Sequence, residues 1–214
     1  MIYTESIFVC LAAPLLIAAY LLKGETRRFI GFFLLGLLAC LLAGYINSYF
    51  VAVVAENEQL PMTTAQAIVR ITPICEEVMK ALPVFLFVAL TVPKREDIVA
   101  VAIAVGLGFV TFENCCLLVQ HDSPGLLFAL VRGFAAGVTH TICAAILGYG
   151  LSAVHGHRRL VMPIAFALLC ASSTFHAIYN FLTASQGGIR VVGYVLPVIA
   201  AVGIIIWRGR PRSA

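Results

Sequence analysis

Seven long apolar runs, separated by short polar connections, constrain this chain more than any other feature of its sequence. They lie at roughly 6–22, 29–55, 64–92, 98–119, 125–153, 160–184 and 190–207. Each reaches the length of about 17 residues or more that a helix needs to cross a bilayer. The runs lack the alternation of barrel strands. Because only helices and closed barrels satisfy their backbone in lipid, the sequence predicts an all-α polytopic membrane bundle of about seven transmembrane helices.

The composition agrees with lipid as the main solvent. Of 214 residues, 62% are hydrophobic and only 11% are charged, against about 25% charged residues in soluble domains. We expect one transmembrane domain over residues 1–214, with a motif-bearing core at about 64–184 and no separate soluble domain. All seven cysteines fall within apolar runs, so no disulfide framework is predicted.

Basic residues mark one face of the predicted bundle. Ten of the 14 Lys and Arg residues follow the first, third, fifth and last runs, whereas the opposite face has Arg190 and a loop with Glu56 and Glu58. The positive-inside rule therefore predicts an outside N-terminus and a cytoplasmic C-terminus. Arg70 and Arg132 lie near the outer ends of their runs and are expected to snorkel to the interface.

Ionisable and polar residues interrupt four of these runs. A charged residue at the centre of a span costs about 2.5–3.5 kcal/mol on insertion scales, against roughly 0.6 kcal/mol gained for each Leu. Such residues are therefore functional by default. They are Glu76, Glu77 and Lys80 in the third run, Glu113 in the fourth, His140 in the fifth, and His176 and Asn180 in the sixth.

The depths of these residues predict a single site. Counted from the outer ends of the runs, the carboxylates and histidines lie about 6–15 residues deep, or ~9–22 Å at 1.5 Å per residue. Four helices can therefore bring them together in the middle or outer half of the membrane. Gly133 and Gly137, one turn or two before His140, predict a close approach by a neighbouring helix.

Structural interpretations stay open for some of these side chains. Glu76 and Lys80 are four residues apart, which predicts an intrahelical ion pair and leaves Glu77 without a partner in its own turn. That pair would also serve as a purely structural bridge. In the same way, Glu113 would serve as a protonated core carboxyl, and His140 as a hydrogen-bonded core histidine.

The cluster suits peptide hydrolysis by either of two mechanisms. In one, zinc or another divalent ion is bound and Glu76 is the general base for water. The predicted ligands of that ion are Glu77, Glu113, His140 and His176. In the other, no metal is needed: Glu76 activates water directly, and His176 and Asn180 stabilise the oxyanion.

Four motifs in order resemble the PrsW family of intramembrane proteases, which is related to the CAAX-prenyl endopeptidase and Abi superfamily. They are Glu-Glu-x-x-Lys at 76–80, Phe-x-x-x-Glu-Asn at 109–114, His140 with Gly148, and His-x-x-x-Asn at 176–180. The relatives in that superfamily have Glu-Glu-x-x-x-Arg and Phe-x-x-x-His, so Lys80 and Glu113 favour the PrsW branch.

The resemblance implies an intramembrane endopeptidase in a bacterial cytoplasmic membrane. It implies catalytic roles for the two adjacent glutamates, Glu113 and both histidines, with Asn180 assisting. The implied partner is a single-span membrane protein or peptide, such as an anti-sigma factor, cut near the outer face; nucleic acid is not an expected partner.

Two other classes of function remain open from the residues alone. Buried Glu, Lys and His chains also relay protons in pumps, so a proton-coupled transporter or channel is the alternative. The inverted repeats typical of many transporters are not found in the sequence. A non-catalytic seven-helix receptor or scaffold would leave the cost of the buried carboxylates unexplained.

Overall fold

A computed structural model describes residues 2–55, 64–120 and 125–209 of the chain. These residues form seven helices and their connections, and no strand occurs among them. The helices are α1 (Ile2–Leu21), α2 (Gly24–Ala55), α3 (Thr64–Leu90), α4 (Arg95–Gln120), α5 (Leu126–Val154), α6 (Arg158–Ala184) and α7 (Gly188–Gly209). The all-α prediction is therefore confirmed for the described residues. The loop with Glu56 and Glu58 and the side chain of Arg70 lie outside them.

Within the described residues, four helices are long and apolar enough to cross a membrane by length and composition. They are Gly24–Val54, Arg95–Gln120, Leu126–Val154 and Arg159–Ala184. Helix α3 has 27 residues, which is also sufficient length, but its buried ionisable residues lower its apolar character. The count of seven crossings and their orientation stay predictions.

Helix α4 lies at the centre of the bundle. It packs against α1, α2, α3 and α5, and it is buried over most of its length. Most of its buried side chains are small or β-branched, and small side chains let neighbouring helices approach its backbone closely. Its buried residues are Ile98, Val101, Ala102, Ala104, Val105, Gly106, Gly108, Phe109, Val110 and Phe112.

Glycines set the distance between α4 and its two main neighbours. A Cβ atom on Gly36 of α2 would collide with the backbone of Val105, and one on Gly108 would collide with the backbone of Phe33. On the other side, a Cβ on Gly106 would lie 2.7 Å from the Cβ of Ala144 in α5. The backbones of α2, α4 and α5 are therefore in direct contact.

The prediction of close approach at Gly133 and Gly137 is wrong. A Cβ on either residue would meet no neighbouring atom within 4 Å. The residue of α5 that is packed tightly against α4 is Gly148, where a Cβ would lie 2.9 Å from the Cβ of Ala102. Spacing along one helix does not say which of its faces meets a neighbour, so the sequence favoured the wrong pair.

The contact between α2 and α4 predicts unequal effects of two Gly→Ala substitutions on α2. Gly36→Ala places its methyl group against the backbone of α4 and should lower the free energy of unfolding by about 1–3 kcal/mol, as overpacking does. Gly31→Ala is the matched control, because its Cβ would meet nothing within 4 Å. Denaturation of both variants in detergent checks this; equal stabilities would contradict the close packing.

Candidate functional site

Side chains from four helices meet in the interior of the bundle. Helix α3 contributes Glu76, Glu77 and Lys80, and the histidines His140 and His176 come from α5 and α6; all five are buried. Glu113 of α4 joins them through His140, whose Nε2 lies 2.9 Å from its Oε2. The structure thus brings the predicted carboxylates and histidines into one cluster.

Lys80 connects two of these helices. Its Nζ donates to Oε1 of Glu77 at 2.5 Å and to Nδ1 of His140 at 2.9 Å. It also lies 4.8 Å from the centroid of the Phe109 ring. The predicted pairing of Lys80 with Glu76 is therefore wrong, and Lys80 pairs with Glu77, three residues earlier. In this position the ammonium group can contact His140 as well.

Hydrogen bonds at Nδ1 hold the two imidazole rings in place. A carboxylate only accepts hydrogen bonds, so Nδ1 of His176 carries the proton in its 2.8 Å bond to Oε1 of Glu77. This leaves the Nε2 lone pair of His176 free. The rings of His140 and His176 meet edge to face with centroids 4.7 Å apart, and His140 is stacked on Phe109.

Arg132 belongs to the same network, and the prediction that it snorkels to the interface is wrong. Its guanidinium donates to Oε1 of Glu113 at 2.9 Å and to the hydroxyl of Tyr179 at 3.2 Å. Tyr179 is itself buried. The signal for Arg132 was present in the sequence, since an arginine two turns before His140 is an intramembrane charge; Tyr179 gave no comparable signal.

Asn180 lies one turn after His176 on α6, but its side chain makes no hydrogen bond to the cluster within the part of the chain that is described. Its carbonyl oxygen accepts a hydrogen bond from Thr183. The predicted role of Asn180 at an oxyanion therefore stays a prediction.

The arrangement leaves one carboxylate without a cationic partner. Glu77 pairs with Lys80, and Glu113 pairs with Arg132, whereas Glu76 has no Lys or Arg partner among the described residues. Its ion-pair contact is with a histidine: Nε2 of His176 lies 3.7 Å from Oε2. With three carboxylates and two cations, the cluster has one negative charge in excess when all three are ionised.

The donor atoms fit a divalent metal ion. Glu76, His140 and His176 each offer a ligand atom, and these atoms lie within 4.8 Å of one another. One carboxylate and two imidazole groups are a ligand set that zinc accepts. Moreover, the buried Oε2 atom of Glu76 has no hydrogen-bond partner among the described residues, and it lies 3.7 Å from Nε2 of His176. A cation beside it would satisfy this oxygen.

Whether His140 can bind a metal through Nε2 depends on which ring nitrogen carries the proton. Because the Lys80 ammonium only donates, Nδ1 of His140 accepts and Nε2 carries the proton. A nitrogen that binds a metal needs its lone pair, so His140 would bind through Nε2 only after the Nε2 proton leaves and Nδ1 takes a proton from the Lys80 ammonium, which keeps the ring neutral. Glu77 is predicted from the sequence to be a ligand and Glu76 the base, whereas in the structure Oε2 of Glu76 lies 3.7 Å from Nε2 of His176 and Glu77 bonds to Nδ1 of the same ring.

These positions predict graded effects on the affinity for Zn²⁺. Glu77→Gln weakens the support behind His176 and should lower the affinity about tenfold, the low end of the 10–100-fold cost of losing an outer-shell partner. His176→Ala removes a ligand atom and should cost more. Competition with a chelating fluorophore measures both, with the exposed Glu96→Gln as control. Equal losses in the two variants would make Glu77 itself a ligand.

Comparison with known proteins identifies the family. The family described as PrsW family intramembrane metalloprotease matches residues 25–207. The match spans α3 to α6 and therefore the whole cluster. Searches of the curated proteins and of the solved structures gave no match. Since the match covers most of the chain, the protein belongs to the PrsW family of intramembrane metalloproteases and is an integral membrane protease.

Proposed function

We propose that the chain hydrolyses a peptide bond in a membrane-embedded or membrane-proximal segment of a protein substrate, with water activated in the cluster at Glu76 and Glu113. One observation carries this proposal. Oε2 of Glu76 is buried without a hydrogen-bond partner among the described residues and lies 3.7 Å from Nε2 of His176, and Oε2 of Glu113 lies 2.9 Å from Nε2 of His140. The proton-coupled transporter is not favoured, because the family is one of proteases.

The metal would be held by Glu76, His140 and His176. Several catalytic zinc sites likewise use one carboxylate and two imidazoles as ligands. A divalent ion bound there supplies Lewis-acid polarisation of the scissile carbonyl and of water. Glu77 and Lys80 orient the two rings through their Nδ1 atoms. Such outer contacts fix ring orientation and ligand basicity.

Glu113 is the general base in this proposal. Its side chain is 20% exposed, and it lines a cavity together with Glu76, so water in that cavity would lie beside its carboxylate. Arg132 holds the other oxygen, Oε1, and thereby aims Oε2 at the site. Glu113 then takes a proton from the attacking water and returns it to the leaving amine, as a general base and acid does in peptide hydrolysis.

The proposed setting is a bacterial cytoplasmic membrane crossed seven times, with the N-terminus outside. Seven helices and basic connections after α1, α3 and α5 support this orientation. In it, Glu113 and His176 lie in the outer half of the membrane. The proposed substrate is accordingly a single-span membrane protein, such as an anti-sigma factor, that is cut near the outer face.

Replacement of the unpaired carboxylate tests the proposed activity. Glu76→Gln keeps the shape of the side chain but weakens it as a ligand or base, so cleavage of single-span peptides in detergent should fall by at least about 10²-fold. Glu96→Gln, exposed at the start of α4, should leave cleavage unchanged. A strong chelator should abolish wild-type cleavage, and Zn²⁺ should restore it. Cleavage that persists in chelator would favour direct glutamate chemistry.

Arg132 should matter for rate more than Tyr179 does. Arg132→Gln removes the cation that orients Glu113, and we expect kcat/KM to fall about 10–100-fold. Tyr179→Phe removes only the hydrogen bond at 3.2 Å and should cost much less. The positioning role also predicts partial rescue in Arg132→Lys, which keeps the charge. If Gln and Lys variants were equally impaired and equally destabilised, Arg132 would be only structural.

A further inference from the structure

A cavity of about 350 Å³ leads to the two carboxylates from one end of the bundle. It lies between the C-terminal halves of α2 and α4, with Thr4 of α1 at its side. Exposed Ser48 and Gln120 line it at one end, and buried Glu76 lines it at the other. Its volume is within the range of about 300–1,000 Å³ that is typical of ligand sites. We name this cavity the α2–α4 cleft.

The packing of the two helices explains where the cleft begins. At Gly36 and Gly108 the backbones of α2 and α4 touch, and Arg28 pairs with Asp97 near the N-terminal ends of both helices at 2.6 Å. The cleft lies beyond this contact, toward the ends that the positive-inside rule predicts to be outside. Gly44 of α2 lines it, and a Cβ on Gly44 would meet no atom within 4 Å.

The polar lining of the cleft indicates what it binds. Oδ1 of Asn47 is buried and has no hydrogen-bond partner among the described residues. A buried acceptor without a donor is costly, so a ligand with an N–H group would satisfy it. The backbone N–H groups of a helix are already bonded within the helix. An extended peptide, in contrast, presents free N–H groups, and it would also place a peptide bond near Glu76 and Glu113 at the buried end of the cleft.

We propose that the α2–α4 cleft binds an extended, unwound segment of the substrate, which enters from the outer end of α2 and α4. Asn47 accepts a hydrogen bond from a substrate backbone N–H and so sets the register of the scissile bond at Glu76 and Glu113. The open space at Gly44 admits the peptide. This inference rests on the proposed proteolytic function and adds to it the conformation and the path of the substrate.

Filling the cleft tests the path. Gly44→Phe projects a ring into the cleft without meeting protein atoms at its Cβ, so the fold and Zn²⁺ binding should persist while kcat/KM falls about tenfold or more. Gly31→Phe is the matched control, because Gly31 lies on the same helix, has equally open space, and does not line the cleft. Cleavage by Gly44→Phe at the wild-type rate would overturn the cleft and leave the proposed function intact.

Removing the acceptor tests the role of Asn47. Asn47→Leu should raise KM several-fold for a single-span peptide with a polar outer segment and leave Zn²⁺ affinity unchanged. Thr91→Val is the control, because the Thr91 hydroxyl already donates to the carbonyl of Phe87 and Thr91 does not line the cleft. Equal KM values in Asn47→Leu and the wild type would overturn the role of Asn47.

A binding measurement separates the cleft from the chemistry. In the Glu76→Gln background, p-benzoylphenylalanine at position 44 should crosslink the same single-span peptide on illumination, and p-benzoylphenylalanine at position 31 should not. Crosslinking at position 44 without any wild-type cleavage would support the cleft and count against the proposed function. Equal crosslinking at both positions, or none at position 44, would overturn the cleft.

Discussion

The ammonium group of Lys80 joins Glu77 of its own helix to His140 of α5, and Glu77 in turn receives Nδ1–H of His176 from α6. Carboxylates are costly to bury unless cations and hydrogen-bond donors compensate them, so α3 can turn its ionisable face into the bundle only when its neighbours complete this network. Removing one member would leave a buried charge uncompensated. The interior of the bundle therefore depends on Lys80 for both the charge balance and the orientation of the two imidazole rings.

Helix α4 holds the network at the correct distance. Its glycines allow α2 and α5 to approach to backbone contact, and its Phe109 covers the ring of His140 and the ammonium of Lys80. One turn later, Glu113 lies between Arg132 and His140. Close packing and charge pairing thus coincide on one helix, which explains why a chain in lipid can keep five ionisable side chains ordered in its interior.

Glu76 distinguishes this cluster from a purely structural ion-pair network, because it has no Lys or Arg partner among the described residues. If every carboxylate had a cation, the cluster would resemble a structural ion-pair network, and the cavity beside it would have no function. Glu76 instead lies between the histidines and the α2–α4 cleft. An acidic group with histidines on one side and a cavity on the other has the arrangement that the proposed hydrolysis needs.

Much of this protein follows from the sequence by itself. The apolar runs predicted the helices to within a few residues, because lipid forces the backbone of each run to satisfy itself locally. The cost of intramembrane charge also identified the residues of the cluster.

The pairing within the cluster was decided only by tertiary structure. Spacings of three and four residues both allow Lys80 to reach a glutamate, and the choice of Glu77 depends on His140 and His176, which are 60 and 99 residues away from their partners. Which helix faces meet is likewise a property of packing between distant segments. It decides the inward position of the Arg132 side chain, the contacts at Gly36 and Gly148, and the cleft.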